Sequence, residues 1–271
     1  MSKNDPIQLR KSLDLENLRI IIKNIDALKD KIFITGFHGL GGIGHLTVRY
    51  IVETAIKQGQ GRKIGHIVSN LMPPFVEVLS EGDLGIPYEI IEVGDAVLLL
   101  IRFQPTLEEQ TILADELTKL SAQVGIKAFM LMGGIDSSAF GNRDEILPLV
   151  YVANEKFKEE IIPSMKNWNL KTAPKGIFVT GGVALFLTYA THRNIPAAAL
   201  FAPTEKGIIN KEEALRLAKK VIELLDLSIS LDELEKEIQI AQIALRKLQE
   251  KLLTETRKKE EAPEDVSQLF T

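Results

Sequence analysis

At 271 residues, 45% of them hydrophobic and 26% charged, the chain has a globular composition and the length for one large domain or two small ones, which excludes disorder over most of it. With 33 basic against 37 acidic residues the net charge is -4, so no global field draws it toward nucleic acid or anionic lipid. Cys is absent, which removes disulfides, thiolate nucleophiles, iron–sulfur clusters and cysteine-ligated zinc.

Met1 to Leu15 is polar and mixed in charge, without the apolar core and small-residue cleavage site of a secretory signal. The most apolar windows, Ile32–Phe37, Ala96–Ile101, Ala128–Met132 and Ala197–Phe201, fall far short of the ~20 residues that cross a bilayer and read as buried strands. A cytoplasmic protein is expected. Short β-rich runs alternate with segments of helical period, the pattern of an α/β fold on a mainly parallel mixed sheet. Arg19–Ile25 and Lys31–Phe37 read as strands. Gly41 to Gly59 reads as a helix entered through a glycine-rich turn, with Leu46, Tyr50, Ile51 and Ile56 toward the core. Ile64–Ser69, Phe75–Leu79 and Tyr88–Val93 are further strands, separated by Pro73-Pro74 and Glu81-Gly82-Asp83, and their succession implies an antiparallel portion.

Ala96–Ile101 reads as a central strand, followed by a helix from Thr106 with Leu113, Leu117, Leu120 and Val124 on one face. Lys127–Met132 is the next strand and Gly133–Asn142 a loop. A short strand at Val150–Ala153, a helix near Glu155–Asn167 and a strand at Gly176–Thr180 follow. Gly181-Gly182 opens a helix to about His192. Ala197–Phe201 is a strand ended by Pro203 and Gly207, and Lys211–Leu225 an amphipathic helix with Leu217, Val221 and Leu224 on one face.

From Leu231 the pattern changes. Leu231, Leu234, Ile238, Ala241, Leu245, Leu248 and Leu252 alternate spacings of three and four, the a/d seam of a coiled coil over three heptads. Such a helix either meets a partner or packs back on its own domain. Thr254–Glu264 is almost wholly charged or polar and reads as disordered, before Val266, Leu269 and Phe270 return at the end. The chain therefore divides into an α/β body over 1–227, an amphipathic helix over 228–253 and a tail over 254–271.

Several constellations suggest chemistry. Gly39-Leu40-Gly41-Gly42-Ile43-Gly44 satisfies G-x-G-x-x-G between a strand and a helix, where backbone N–H groups cradle a pyrophosphate. Gly39, Gly41 and Gly44 are thus candidate ligand-binding positions, although Val68-Ser69-Asn70 ends the next strand without an acidic residue for a ribose. Close helix–sheet packing demands the same glycines. His38, His45, His66 and His192 show no metal-ligand spacing, and no metal site is expected. His38 and His45 bracket the glycine turn. Asp136-Ser137-Ser138 follows a buried strand but lacks a nucleophile elbow, and Thr180-Gly181-Gly182 repeats the strand-end placement. No catalytic residue is assigned.

Taken in order, four segments resemble the proteasome assembly chaperone family in its archaeal-type branch. They are Ile34-Thr35-Gly36-Phe37-His38-Gly39-Leu40-Gly41-Gly42-Ile43-Gly44, Pro73-Pro74-Phe75-Val76-Glu77-Val78, Gly133-Gly134-Ile135 and Gly181-Gly182-Val183-Ala184-Leu185-Phe186-Leu187. The resemblance runs from about Leu18 to Leu227. It implies a three-layer α/β sandwich similar to the purine nucleoside phosphorylases, to which the heptad pattern adds a C-terminal helical extension. It further implies a homo-oligomer without cofactor or catalytic site, acting as a proteasome assembly chaperone or ATP-independent adaptor.

The same resemblance implies a role for the last three residues. In this family a terminal hydrophobic–tyrosine–any-residue motif docks between α subunits of the proteasome core particle. Here Leu269, Phe270 and Thr271 stand in its place. Phe270 would fill the apolar slot, Leu269 pack beside it, and the Thr271 carboxylate meet a lysine of the pocket. The roughly 15 residues between Leu253 and Leu269 would tether this anchor over ~20 Å. The alternative class is a nucleotide- or nucleoside-binding protein using the Gly39–Gly44 turn.

Overall fold

The computed structural model describes residues 11–14, 18–72, 74–141, 146–244 and 247. They fall into two compact units, one ending at Leu231 and one beginning at Asp232. In the second, residues 232–244 are helical, with Leu234 half-buried and Ala241 exposed. Leu245, Leu248 and Leu252 of the heptad seam lie outside the described residues, as do Leu269, Phe270 and Thr271.

The first unit is built on one ten-stranded mixed sheet in the order β1 (Lys11–Asp14), β2 (Leu18–Ile22), β4 (Gly61–Ser69), β7 (Tyr88–Val93), β8 (Ala96–Ile101), β3 (Ile32–Gly36), β9 (Ala128–Asp136), β12 (Ala197–Thr204), β10 (Val150–Ala153) and β11 (Lys171–Thr172). Its centre, β8-β3-β9-β12, is parallel. The succession of short strands β2-β4-β7-β8 is antiparallel throughout. A separate hairpin pairs β5 (Glu77–Val78) with β6 (Leu84–Gly85).

Helices cover both faces because the central strands are apolar on both sides, as strands of a buried parallel sheet must be. β8 and β12 are buried at every position. Phe33, Val97, Leu99, Phe129, Leu131 and Ala199 share one core with α2 (Leu107–Val124) and α4 (Gly181–His192). The opposite face carries α1 (Ile43–Lys57) and α5 (Lys211–Leu224), packed on each other and on the sheet. This is the α/β sandwich that the resemblance implies, with a C-terminal helix after it.

Local chemistry explains most boundaries. Thr106 caps α2 by accepting the Glu109 N–H, and the left-handed Gly125 ends it. Asn210 caps α5 through the Glu213 N–H, and Leu217, Val221 and Leu224 are buried as their spacing predicts. Four expectations need correction. β9 runs through Gly133 and Gly134 to Asp136, because β12 pairs with it along that whole length, and only then does a 3₁₀ turn (Ser137–Phe140) begin. β12 likewise continues through Pro203 to Thr204. The helix expected to reach Asn167 is α3 (Glu155–Glu160), a single short element followed by a 3₁₀ turn at Ile162–Ser164, since Pro163 lacks the N–H to extend it. Gly176–Thr180 is irregular, with Phe178 exposed at 92%.

The face assigned to α1 is also out of phase. Tyr50 and Ile51 are buried, but Ile56 is 48% exposed and Leu46 only half-buried; Ile43, Val48, Val52 and Ala55 form the packed face instead. Contact with α5 as well as the sheet widens the buried arc beyond a single stripe.

Candidate functional site

The carboxyl ends of the parallel strands gather the glycine turn after β3, Gly133-Gly134 and Asp136 of β9, and Thr180-Gly181-Gly182 at the start of α4. After β3 the chain turns to α1 on one face, whereas after the neighbouring strand β8 it turns to α2 on the other, so a crevice opens at the ends of these strands, the topological switch point. A cavity of about 400 Å³ occupies it, walled by Phe37, Leu40, Met132, Val183 and Phe201 and rimmed by Phe178. Gly39, Gly133, Gly134, Gly181 and Gly182 supply its backbone walls.

The glycine turn serves packing. A Cβ on Gly44 would stand 2.4 Å from the Met132 carbonyl oxygen, and one on Gly36 would meet Gly44 O at 2.2 Å. Only bare Cα atoms let α1 approach β3 and β9 this closely. Gly41 and Gly42 sit at φ 66°, with Gly41 pressed on Thr204. Four of the N–H groups around a phosphate cradle are already engaged: Gly39 donates to Phe37 O, Gly42 to Gly39 O, Ile43 to Leu40 O and His45 to Phe37 O. Gly39 alone has open space where a Cβ would be.

Asp136 caps its 3₁₀ turn, accepting the Ser138 N–H at 2.9 Å, and its other oxygen lies 3.1 Å from Lys206 Nζ. Hydrogen bonds from Ser138 and the Lys206 ammonium hold its carboxyl down at about 2. Thr180 begins α4 without a side-chain cap, and Gly182 has no room for a Cβ because the Phe37 ring lies 2.4 Å away.

The structure brings two of the four histidines together. His38 and His45 stack with centroids 3.7 Å apart, and His45 Nδ1–H donates to Ile101 O at 2.8 Å. Burial, then the neighbouring His38, pushes the His45 imidazole down to about 4; burial and Arg49 also lower His38. Both rings are therefore neutral at pH 7. His66 lies in β4 and His192 ends α4. Among the described residues, no group of three His, Asp or Glu is placed to hold a metal ion.

Beside this stack lies an ion-pair chain that sequence reasoning missed. Arg102 donates to Glu89 at 2.7 Å and to Glu77 at 2.6 Å, and Arg49 reaches the other Glu77 oxygen at 2.7 Å and Glu53 at 2.8 Å. Burial raises the Glu77 carboxyl, but the hydrogen bonds from Arg49 and Arg102 outweigh it and hold the group below the usual range. The signal available was Arg102 itself, directly after six buried apolar residues. The chain pins the β5–β6 hairpin to α1 and β7 while leaving Val76, Val78 and Leu84 exposed at 54%, 75% and 60%.

Comparison with known proteins fixes the lineage of this arrangement. The model of the PAC2 family matches residues 33–249. The chain belongs to the PAC2 family. An uncharacterized protein of Methanocaldococcus jannaschii is 23% identical over 253 residues, covering 90% of this chain and 94% of that one. Among solved structures, this PAC2 protein matches Pyrococcus furiosus PbaA, an archaeal homolog of proteasome-assembly chaperone, with a TM-score of 0.73, 18% identity and coverage of 90% and 97% of the two chains. Pyrococcus furiosus PbaB, an archaeal proteasome activator, matches with a TM-score of 0.65, 17% identity and coverage of 87% and 100%. At these identities the likeness is one of fold. No helix among the described residues of the PAC2 chain is long and apolar enough to cross a membrane.

Proposed function

We propose that this PAC2 protein is a non-enzymatic, cytoplasmic proteasome assembly chaperone or ATP-independent adaptor, and that it binds the α ring of the core particle through Leu269, Phe270 and Thr271. The observation that carries the reading is the family match over residues 33–249, joined by PbaA and PbaB, whose folds extend over 90% and 87% of the chain. The terminal Leu-Phe-Thr after a charged tract supplies the means of docking. A homo-oligomer would present several such tails, and weak anchors gain by effective concentration. Val78 and Leu84, exposed on a rigidly pinned hairpin, offer an apolar patch for contact between copies.

The deciding experiment is capture of α-subunit rings by the full chain and by the chain lacking Leu269–Thr271. Loss of capture with an unchanged melting temperature supports the tail mechanism; undiminished capture overturns it. Capture by neither chain overturns the proteasome reading as a whole.

A further inference from the structure

The cavity at the switch point has hydrogen-bonding groups that the proposed docking role does not use. The N–H groups of Gly181, Gly182 and Val183 open α4 with no capping side chain, and no acceptor among the described residues meets them. Such a helix start presents unsatisfied donors and a positive dipole end to whatever lies before it. The second observation is Gln110, 6% exposed and lining the same cavity. Its Nε2 donates to Pro105 O at 2.8 Å, which fixes the orientation of the amide. Oε1 is left facing α4, 3.5 Å from where a Cβ on Gly181 would lie. An amide acceptor and a row of helix-start donors therefore stand side by side in a cavity that Phe37, Leu40, Met132, Val183 and Phe201 line with apolar surface and Asp136 and Lys206 with charge.

An anion is the usual guest of a helix N-terminus, but the charges here disfavour one. Asp136 lines the cavity as a carboxylate, and Lys206 is already engaged with it at 3.1 Å. Gln110 Oε1 would repel a second negative oxygen. A neutral carbonyl suits the donors, and an N–H on the adjacent atom suits Gln110. Phe37 and Phe201 in the walls and Phe178 at the rim favour a flat ring for the remainder. The volume, about 400 Å³, lies within the ~300–1,000 Å³ of small-molecule sites. We propose that the cavity between β3, β9 and α4 binds a small planar cyclic amide, its carbonyl on the α4 N-terminus and its ring N–H on Gln110.

The test uses the full ¹⁵N-labelled chain titrated with quinolin-2(1H)-one, which carries this edge, and with its N-methyl derivative, which lacks the donor. The expected result is saturable displacement of the Gly181 and Gly182 amide resonances by the first. The N-methyl compound should bind ~10-fold more weakly, the equivalent of about 1.4 kcal/mol. Gln110→Leu should remove that discrimination. Because Gln110→Leu also breaks the bond to Pro105, Phe178→Ala serves as a second variant: its ring is 92% exposed, so the fold should stand while binding weakens several-fold. Absence of saturable shifts at both glycines up to about 1 mM, or equal binding of the N-methyl compound, overturns the proposal.

Discussion

Arg102 Nη1 lies 2.6 Å from Glu77 Oε2, joining the end of the central strand β8 to a hairpin 25 residues earlier. The same guanidinium holds Glu89, and both Arg102 and Glu89 are nearly inaccessible, at 5% and 6% of their side chains. Removing one partner of a buried ion pair leaves the other charge desolvated and uncompensated, which costs about 3–5 kcal/mol. Arg102→Met should lower stability in urea by roughly that amount. Arg102→Lys should fall between it and the wild type, because one ammonium cannot match the planar fork that serves two carboxylates. Equal stability of all three chains would show that the network contributes no net energy.

The His38–His45 stack makes stability depend on pH in a defined direction. His45 is 7% exposed and its pKa falls to about 4 in the folded protein, against 6.5 when unfolded. The unfolded chain therefore binds more protons between these values, so stability falls as pH drops from about 6.5 to 4 and levels off below. A depression of this size corresponds to about 3 kcal/mol for His45 alone. The titratable groups around the ring are His38, Arg49 and Glu77; His38 and Arg49 disfavour its protonated form, while the Ile101 carbonyl and Glu77 favour it. His45→Gln should flatten the melting-temperature profile across this window, and an unaltered slope would place the dependence elsewhere.

The two ends of the glycine turn separate packing from ligand binding. Gly44→Ala drives a methyl against the Met132 and Phe37 carbonyl oxygens, at 2.4 and 2.9 Å, where only backbone movement gives relief. Overpacking of this kind costs ~1–3 kcal/mol or more. Gly39 has nothing within 4 Å of a new Cβ and a negative φ, so Gly39→Ala should change stability by less than ~1 kcal/mol. Thermal unfolding of the two variants checks the contrast; similar losses would mean that the turn is constrained by something other than α1 packing.

How much of this was legible in the sequence follows from the range of each interaction. Tyr88–Val93, Ala96–Ile101 and Val150–Ala153 are strands with the bounds their patterns predict, and Gly181–His192 is a helix with its expected start and end. These elements are set by local periodicity and by neighbouring turn residues. Gly176–Thr180 misleads because Ile177-Phe178-Val179 has strand composition but stands at a cavity rim rather than in a sheet. Gly133-Gly134 misleads in the opposite sense: two glycines read as a loop, yet Phe201 and Leu40 crowd them so closely that no side chain fits on the strand. The pairing of Arg102 with Glu77 and the approach of Gln110 to Gly181 depend on the finished topology, which no local pattern encodes.

The proposed docking of Leu269, Phe270 and Thr271 supports one further prediction. If Phe270 occupies the apolar slot that the resemblance implies, one suited to tyrosine, Phe270→Tyr adds a phenolic hydroxyl at the polar end of that slot. One recovered hydrogen bond contributes about 0.5–1.5 kcal/mol, a roughly 2- to 12-fold gain in affinity for α-subunit rings. Phe270→Ala removes the ring and should reduce capture below detection, and blocking the Thr271 carboxylate as an amide should do so as well. Surface-immobilised rings titrated with the four chains give the comparison directly. A Phe270→Tyr chain that binds more weakly than the wild type would mean that the slot is closed to a hydroxyl, and one that binds equally would place the ring end in solvent.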